Sequence, residues 1–321
     1  MAKFVETIWL NETKNVHINQ ILQNNKFEEV VLLTAHEPYF WLLPGMKDIL
    51  CTIERNNTPC IIINSIKFES PYKFVKIESW LTYFIYWYKF LANSYNHEIF
   101  QNTFKHTYAF MVNKPEEHRC AILEILTEEK LLYYGAISWH ELPTIELQQK
   151  YNRVKFVKKR LSDEFHFNKN YKLLPKEYFD SFVILIAETS YNDFFMTEKT
   201  LVAIEHEKLF LVASCVNFYK RMQELGFLLY DEVFDYSFDT EPDMYLRMKS
   251  VVNNLKKLSK LSPSAQTELH LKTNEKRLYN KALLDKLVVN KEFIPKIVLD
   301  LLLTEHKTQF SKDWIDQLCK R

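Results

Sequence analysis

The sequence predicts an α/β fold with parallel strands in two domains, and three observations support this. Short apolar runs typical of buried parallel strands recur along the chain, for example at 181–189. They alternate with segments of helical composition, and the connections are short, as in crossover units that join parallel strands. The chain has 321 residues, which is enough for two hydrophobic cores.

We expect an N-terminal α/β domain at 1–104, a second α/β domain at 105–260 and a helical C-terminal region at 261–321. In the N-terminal domain the pattern predicts strands at 29–34, 60–64 and 72–77 and a helix at 46–56. Aromatic residues then recur at helical spacing over 80–90, which favours core packing or a domain seam. An aromatic platform for a sugar ring is the alternative.

His36 and Glu37 directly follow the first of these predicted strands. Open α/β sheets place their ligands at the carboxyl ends of strands, so this pair is the best-placed general base in the N-terminal half. The alternative is that both residues only cap a turn.

The central stretch, 178–239, has the most regular pattern. Its strand at 181–189 includes a carboxylate near the end, Glu188, where a buried parallel strand reaches a ligand crevice. Thr197 is a favourable N-cap for a helix at 198–207, and a strand follows at 209–213. A second helix begins at Asn217, and Gly226 lies where a left-handed residue ends a helix.

Lys199 lies in the first turn of the helix that Thr197 caps. Unpaired N–H groups, the helix dipole and an ammonium group together suit a diphosphate at this point. A solvated lysine is the alternative, because a cation in the first turn opposes the dipole. The chain has only three glycines, so it contains no glycine-rich phosphate loop.

The composition argues against a highly charged nucleic-acid-binding protein, a disulfide-rich secreted protein and a membrane protein. The net charge is +1, so no overall field attracts nucleic acid or a membrane surface. Five scattered cysteines without a CxxC pair favour free thiols in a reducing compartment. No signal peptide is evident, and the aromatic run at 80–91 is too short to span a bilayer. We therefore expect a cytoplasmic protein, and abundant Lys, Asn and Ile hint at an AT-rich phage, viral or bacterial origin.

A second block with recognisable order lies upstream, at 107–138. A strand at 107–112 leads into a polar turn containing Asn113, and a helix at about 116–129 carries Arg119. Together with the runs at 195–200 and 224–227, this block resembles the donor-binding half of fucosyltransferase-like glycosyltransferases. The chain is most similar to their short viral, phage and bacterial members, over about 108–239.

The resemblance implies a GT-B architecture, in which two Rossmann-like domains face each other across a cleft. It implies a nucleotide-diphospho-sugar donor in the second domain, no metal ion, no cofactor and inversion at the sugar. A C-terminal helix at 310–318 would return to the N-terminal domain. The donor-binding residues implied by the resemblance and the local pattern are Asn113, Arg119, Glu188, Thr197, Glu198 and Lys199.

Within this scheme Lys199 and Arg119 neutralise the leaving nucleoside diphosphate, a task that a metal ion performs elsewhere. Glu188 or Glu198 holds a ribose or sugar hydroxyl. Either His36 or Glu37 deprotonates the acceptor hydroxyl.

A basic segment at 153–160 is the candidate for the acceptor side. If it forms one helix, Lys155, Lys158 and Lys159 share a face by their spacing. Such a face would attract a polyanionic acceptor, such as the hydroxymethylated DNA of a phage, whereas a bacterial enzyme would use a glycan. A solvated surface is the alternative.

The acidic residues after the central stretch do not form a close DxD metal motif before a small-residue turn. The run at 235–239 resembles a segment of the same family, and we interpret it as structural or ribose-facing. The acidic residues are Asp231, Glu232, Asp235, Asp239, Glu241 and Asp243.

Two further functions remain open at this point. The chain could be a catalytically inactive glycosyltransferase fold that only binds a partner. It could also be a nucleic-acid-binding accessory protein, which would associate with DNA in a strongly salt-dependent way.

Overall fold

The computed structural model describes residues 2–8, 12–34, 45–64, 70–79, 103–161 and 174–289. These residues belong to two compact units. The first contains the helices and strands up to Ser79, and the second contains those from His106 to Lys286. The helices after residue 260 belong to the second unit as far as Lys286.

The first unit has four parallel strands in chain order. Its elements are β1 (Ala2–Ile8), α1 (Glu12–Asn24), β2 (Phe27–Thr34), α2 (Met46–Asn56), β3 (Cys60–Asn64) and β4 (Val75–Ser79). Apolar residues of β2, β3 and both helices form its core, for example Val30, Ile62 and Ile49. Since each strand lies beside its predecessor, the described strands of this sheet contain no reversal of order.

All four predicted elements of this unit are present, β2, α2, β3 and β4, and α2 and β3 have the predicted bounds. The third predicted strand begins at Val75 instead of Tyr72. The backbone N–H of Tyr72 donates to the hydroxyl of Ser70 (3.1 Å), and this local turn delays the strand. His36, Glu37 and the aromatic segment at 80–90 lie outside the described residues.

The second unit also has a four-stranded parallel sheet. Its first elements are β5 (His106–Val112), α3 (Glu117–Glu128), β6 (Gly135–Trp139), α4 (Ile145–Lys150), α5 (Lys176–Phe179) and β7 (Ser181–Ala187). They are followed by α6 (Glu198–Glu205), β8 (Leu209–Ala213), α7 (Phe218–Glu224), α8 (Met244–Leu258), α9 (Pro263–Lys272) and α10 (Asn274–Val289). The central predictions are confirmed, including β8 at its predicted bounds and the left-handed Gly226 after α7.

The order of strands in this sheet is β6-β5-β7-β8. The chain moves from β5 to one neighbour, β6, then returns to the other side of β5 and continues outward through β7 to β8. Right-handed crossovers in opposite directions place their helices on opposite faces of the sheet. The order of strands therefore reverses between β5 and β7, and this is the topological switch point of the sheet.

Burial explains why β7 dominates the sequence pattern. Every residue of β7 and β8 is buried, as expected for strands covered on both faces. The last helix, α10, is hydrogen-bonded to the same unit: Arg277 donates to the carbonyl of Glu207 (2.7 Å), and Asn280 donates to that of Leu228 (2.9 Å).

Two general properties concern the described residues alone. None of their helices is long and apolar enough to cross a membrane. Cys51, Cys60, Cys120 and Cys215 are free thiols, and Cys51 is the exposed one among these four.

Candidate functional site

The candidate site lies at the carboxyl edge of the second sheet, where β5 and β7 end side by side. In open α/β sheets a ligand binds in the crevice outside these ends, at the switch point. Three connections meet there: the turn from β5 into α3, the loop from β7 into α6, and the loop after β8. The predicted donor-binding residues lie on the first two of these connections or in the first turn of the helix that follows each of them.

Glu188, the first residue after β7, is the organising residue of this edge. Its side chain is fully buried, and its carboxylate accepts four hydrogen bonds. The donors are the backbone N–H of Thr197 (3.0 Å), the hydroxyls of Thr197 (2.5 Å) and Thr200 (2.6 Å), and Nζ of Lys199 (3.4 Å). Glu188 thus fixes the start of α6 against the end of β7, and in this conformation its carboxylate does not face solvent.

Lys199 is held in place by the same network but stays accessible. Its Nζ donates to the hydroxyl of Thr197 (2.7 Å) and lies 3.5 Å from that of Thr189. The side chain is 31% exposed, so the ammonium can also meet a ligand. Glu198, which is 30% exposed, lies 3.9 Å from this ammonium. In the first turn of α6, the ammonium group of Lys199 is thus fixed by hydrogen bonds and remains partly exposed to solvent.

Arg119 is buried, and its guanidinium is hydrogen-bonded to backbone carbonyl groups. Its guanidinium donates to the carbonyls of Lys114 (2.7 Å), Ala187 (3.4 Å) and Glu188 (3.0 Å). Burial is the main cause that lowers its pKa below the usual value for arginine. In this conformation Arg119 joins the ends of β5 and β7, and its positive charge is buried at this edge of the sheet.

His118 is a residue that the sequence reasoning did not select. It is fully buried, and its Nε2 lies 2.9 Å from the carbonyl of Glu188, while its Nδ1 has no hydrogen-bond partner among the described residues. Burial, and secondarily the charge of Arg119, lower its pKa to about 3, so the ring is neutral near pH 7. Nothing in its local sequence distinguishes it from a surface histidine on a helix.

Arg247, on α8, is a second residue that sequence reasoning missed. Its guanidinium donates to the carbonyls of Ser214 (2.9 Å), Glu241 (2.6 Å) and Tyr191 (3.1 Å). It therefore joins the loops that follow β7 and β8. The apolar helix pattern around it gave no sign of this function, because the contacts are made with distant loops.

The start of α3 completes the edge. Asn113 and Lys114 are exposed, and Glu116, at the N-cap, makes no capping hydrogen bond through its side chain. Glu117 is paired with Lys150, and it also accepts a hydrogen bond from the hydroxyl of Tyr191 (3.0 Å). Acidic residues thus offset much of the positive charge at this edge.

The acidic residues after β8 have structural contacts. Asp239 accepts hydrogen bonds from the backbone N–H groups of Tyr219 (2.9 Å) and Lys220 (3.0 Å), and so caps α7. Asp243 caps α8 through the N–H of Leu246 (2.9 Å). Within the described ranges, no group of three or more His, Cys, Asp or Glu side chains could hold a metal ion.

The basic segment does not form the helix that a shared basic face would require. Residues 155–158 are irregular, and Lys159 forms an antiparallel bridge with Trp139, the last residue of β6. The backbone of Lys159 exchanges two hydrogen bonds with that of Trp139 (2.7 and 2.8 Å), so pairing with the sheet edge overrides the local helical pattern. Lys155, Lys158 and Lys159 therefore do not share a helical face.

The comparisons with known proteins add no relative. No protein-family model, no curated protein and no solved structure matches this chain. The site therefore rests on its own geometry.

Proposed function

We propose that the carboxyl edge of the second sheet binds the diphosphate of a nucleotide-diphospho-sugar, and that the protein is a glycosyltransferase. The observation that carries this proposal is the placement of Lys199: a partly exposed ammonium in the first turn of α6, at the switch point of a parallel sheet. The sequence resemblance to fucosyltransferase-like enzymes supplies the sugar chemistry, including a GT-B arrangement, no metal ion and inversion.

In this mechanism Lys199 and the N–H groups at the start of α3 and α6 stabilise the charge that develops on the leaving diphosphate. Arg119 acts through the backbone that it holds, and Glu188 keeps Lys199 and Thr197 in position. Asn113 and Glu198 are the accessible polar groups for ribose or sugar hydroxyls. The acceptor, either modified DNA or a glycan, is deprotonated by His36 or Glu37.

A panel of nucleotide-sugars and nucleoside diphosphates tests this proposal through thermal stabilisation of the full chain. We expect at least one of them to raise the melting temperature, and Lys199→Gln to remove the increase. Lys220→Gln is the matched control, because Lys220 is exposed on the neighbouring helix α7. If no nucleotide stabilises the protein, or if the two variants respond alike, the proposal is wrong.

A second candidate is a glycosyltransferase-like protein that binds its ligand without turnover. It is favoured by the burial of two implied donor contacts, because Glu188 and Arg119 are 0% and 7% exposed. This candidate predicts nucleotide binding without hydrolysis or transfer of the sugar, measured with the nucleotide-sugar that binds most tightly.

A further inference from the structure

A polar cavity of about 260 Å³ lies against α8, in the second unit. One wall is the second half of α8 together with Lys260, two residues after its end, and the other is the loop at 235–237. The residues that line the cavity are all polar or charged. They are Asp235, Ser237, Ser250, Asn253, Asn254, Lys256, Lys257 and Lys260.

Asn254 fixes the two walls of this cavity to each other. Its Oδ1 accepts from the backbone N–H of Asp235 (2.8 Å), and its Nδ2 donates to the carbonyls of Asp235 (3.1 Å) and Ser250 (3.2 Å). Asn254 is 4% exposed, so these bonds are shielded from water. The cavity is consequently a preformed feature, since its loop is bound to the helix by a buried side chain.

Hydrogen-bonding groups that have no partner among the described residues line the cavity. The side chains of Ser250, Asn253 and Lys260 make no hydrogen bond or ion pair with other described residues. Ser250 and Asn253 are one turn apart on α8, and Lys260 follows the end of that helix. A hydroxyl, an amide and an ammonium group are therefore available to the same ligand.

The charge of the lining favours an anion. Lys256 is paired with Glu129, and Lys257 lies 3.7 Å from Asp235, with both side chains of the second pair more than half exposed. Exposed pairs of this kind contribute little stability, so the ammonium of Lys257 can exchange its partner at small cost. Lys260 adds a further ammonium group without a carboxylate partner among the described residues.

We propose that this cavity binds the phosphate group of a small phosphorylated molecule or free phosphate. A phosphate presents several acceptor oxygens and up to two negative charges, which matches a set of ammonium, amide and hydroxyl donors around one space. The volume lies just below the range of about 300–1,000 Å³ for sites that hold drug-sized ligands, so the ligand is small.

This site is separate from the one at the switch point. Lys256 contacts Glu129 at the C-terminal end of α3, whereas the N-terminal end of α3 borders the carboxyl edge of the sheet. A helix of 12 residues is about 18 Å long, and this length separates the two sites.

Calorimetric titration of the full chain with inorganic phosphate, and separately with glycerol phosphate, tests the proposal. We expect saturable binding of at least one of them, and the tighter ligand identifies the source of the phosphate group. The double variant Lys257→Gln, Lys260→Gln should weaken that binding at least tenfold, because each lost contact is a charge-assisted hydrogen bond. Asn253→Asp, which places a carboxylate in the lining, should weaken it similarly.

Lys249→Gln is the matched control, because Lys249 is exposed on α8 and does not line the cavity. Its affinity for phosphate should stay within about twofold of the wild type. Residues 249, 253, 257 and 260 are all exposed, so melting curves without phosphate should show that the variants remain folded. An absence of saturable binding up to about 10 mM phosphate, or an equal loss in Lys249→Gln, overturns the proposal.

Discussion

The hydroxyl of Thr200 donates a 2.6 Å hydrogen bond to Oε1 of Glu188, and both residues are completely buried. This contact joins the first turn of α6 to the end of β7 inside the protein. It makes Glu188 a structural residue, because its carboxyl group is surrounded by donors that would lose their partner without it.

Replacing Glu188 should therefore destabilise the fold strongly. We expect Glu188→Ala to lower the free energy of unfolding by about 3 kcal/mol or more, because the N–H of Thr197 and the hydroxyl of Thr200 stay buried without an acceptor. Urea denaturation measures the change. The control is Glu198→Ala, where the partly exposed carboxylate should cost less than about 1 kcal/mol; similar losses in both variants would contradict this description.

Lys199 should matter for ligand binding more than for stability. We expect Lys199→Ala to weaken the binding of a nucleoside diphosphate by about 1.5–3 kcal/mol, the usual range for a hydrogen bond to a charged group. Calorimetry measures the affinity, and Lys220→Ala on α7 serves as the control. Unchanged affinity in Lys199→Ala would show that the ammonium does not contact the ligand.

Lys208 should make stability depend on pH. It is buried, its Nζ donates to the carbonyls of Phe179 (3.0 Å) and Ser181 (2.9 Å), and burial lowers its pKa to about 7. The unfolded chain keeps the ordinary pKa of about 10.4, so between these values it binds one proton more than the folded chain. The contribution of Lys208 to stability is therefore lowest below pH 7 and rises from about pH 7 to pH 10.

The variant Lys208→Met should lose this rise. We expect the difference in unfolding free energy between wild type and variant to change by up to about 1.4 kcal/mol per pH unit in that window. Urea denaturation at pH 7, 8 and 9 measures it, with Lys281→Met as the control, since Lys281 is 31% exposed in its pair with Glu207. Parallel pH profiles for wild type and Lys208→Met would exclude a depressed pKa.

The acidic residues after β8 should stabilise the structure as helix caps and should not bind a metal ion. We expect EDTA to leave both the melting temperature and any transferase activity unchanged. Asp239→Ala should cost about 1–2 kcal/mol through loss of the cap on α7, with or without magnesium. Asp231→Ala is the control, because the side chain of Asp231 is 71% exposed. Activity that is lost in EDTA and restored by manganese would instead identify a metal site.

Sequence reasoning works well here where local signals agree with burial. The helix α2 has a left-handed residue at each end, Gly45 and Asn57, and its bounds are as predicted. The run of β8 is fully apolar, and its bounds are also as predicted. By contrast, β1 was not predicted, because Lys3 and Glu6 interrupt its apolar pattern and its place is set by pairing with β2.

The location of the candidate site could be predicted from the sequence. Which of its residues are buried and structural, and which are exposed to a ligand, could not. Strand ends, the cap at Thr197 and the cation at Lys199 are local features of the sequence. The burial of Glu188 and Arg119 depends on loops that come together only in the folded chain. The hydrogen bonds by which Arg247 joins the loops after β7 and β8 depend on the same folding. For the same reason the shared helical face considered for the basic segment is absent, since the edge of β6 was not part of the local pattern.

The switch point also has a consequence for how this unit folds. The pairing of β5 with β7 brings His106 next to Ser181, although α3, β6, α4 and α5 lie between them in the chain. Such a non-local contact forms late, because the entropy of closing a long loop is lost before the contact contributes. A ligand held at this edge would bind only after that closure, and it would oppose reopening by joining the start of α3 to the start of α6. A ligand that binds at this edge would therefore also slow the unfolding of the unit.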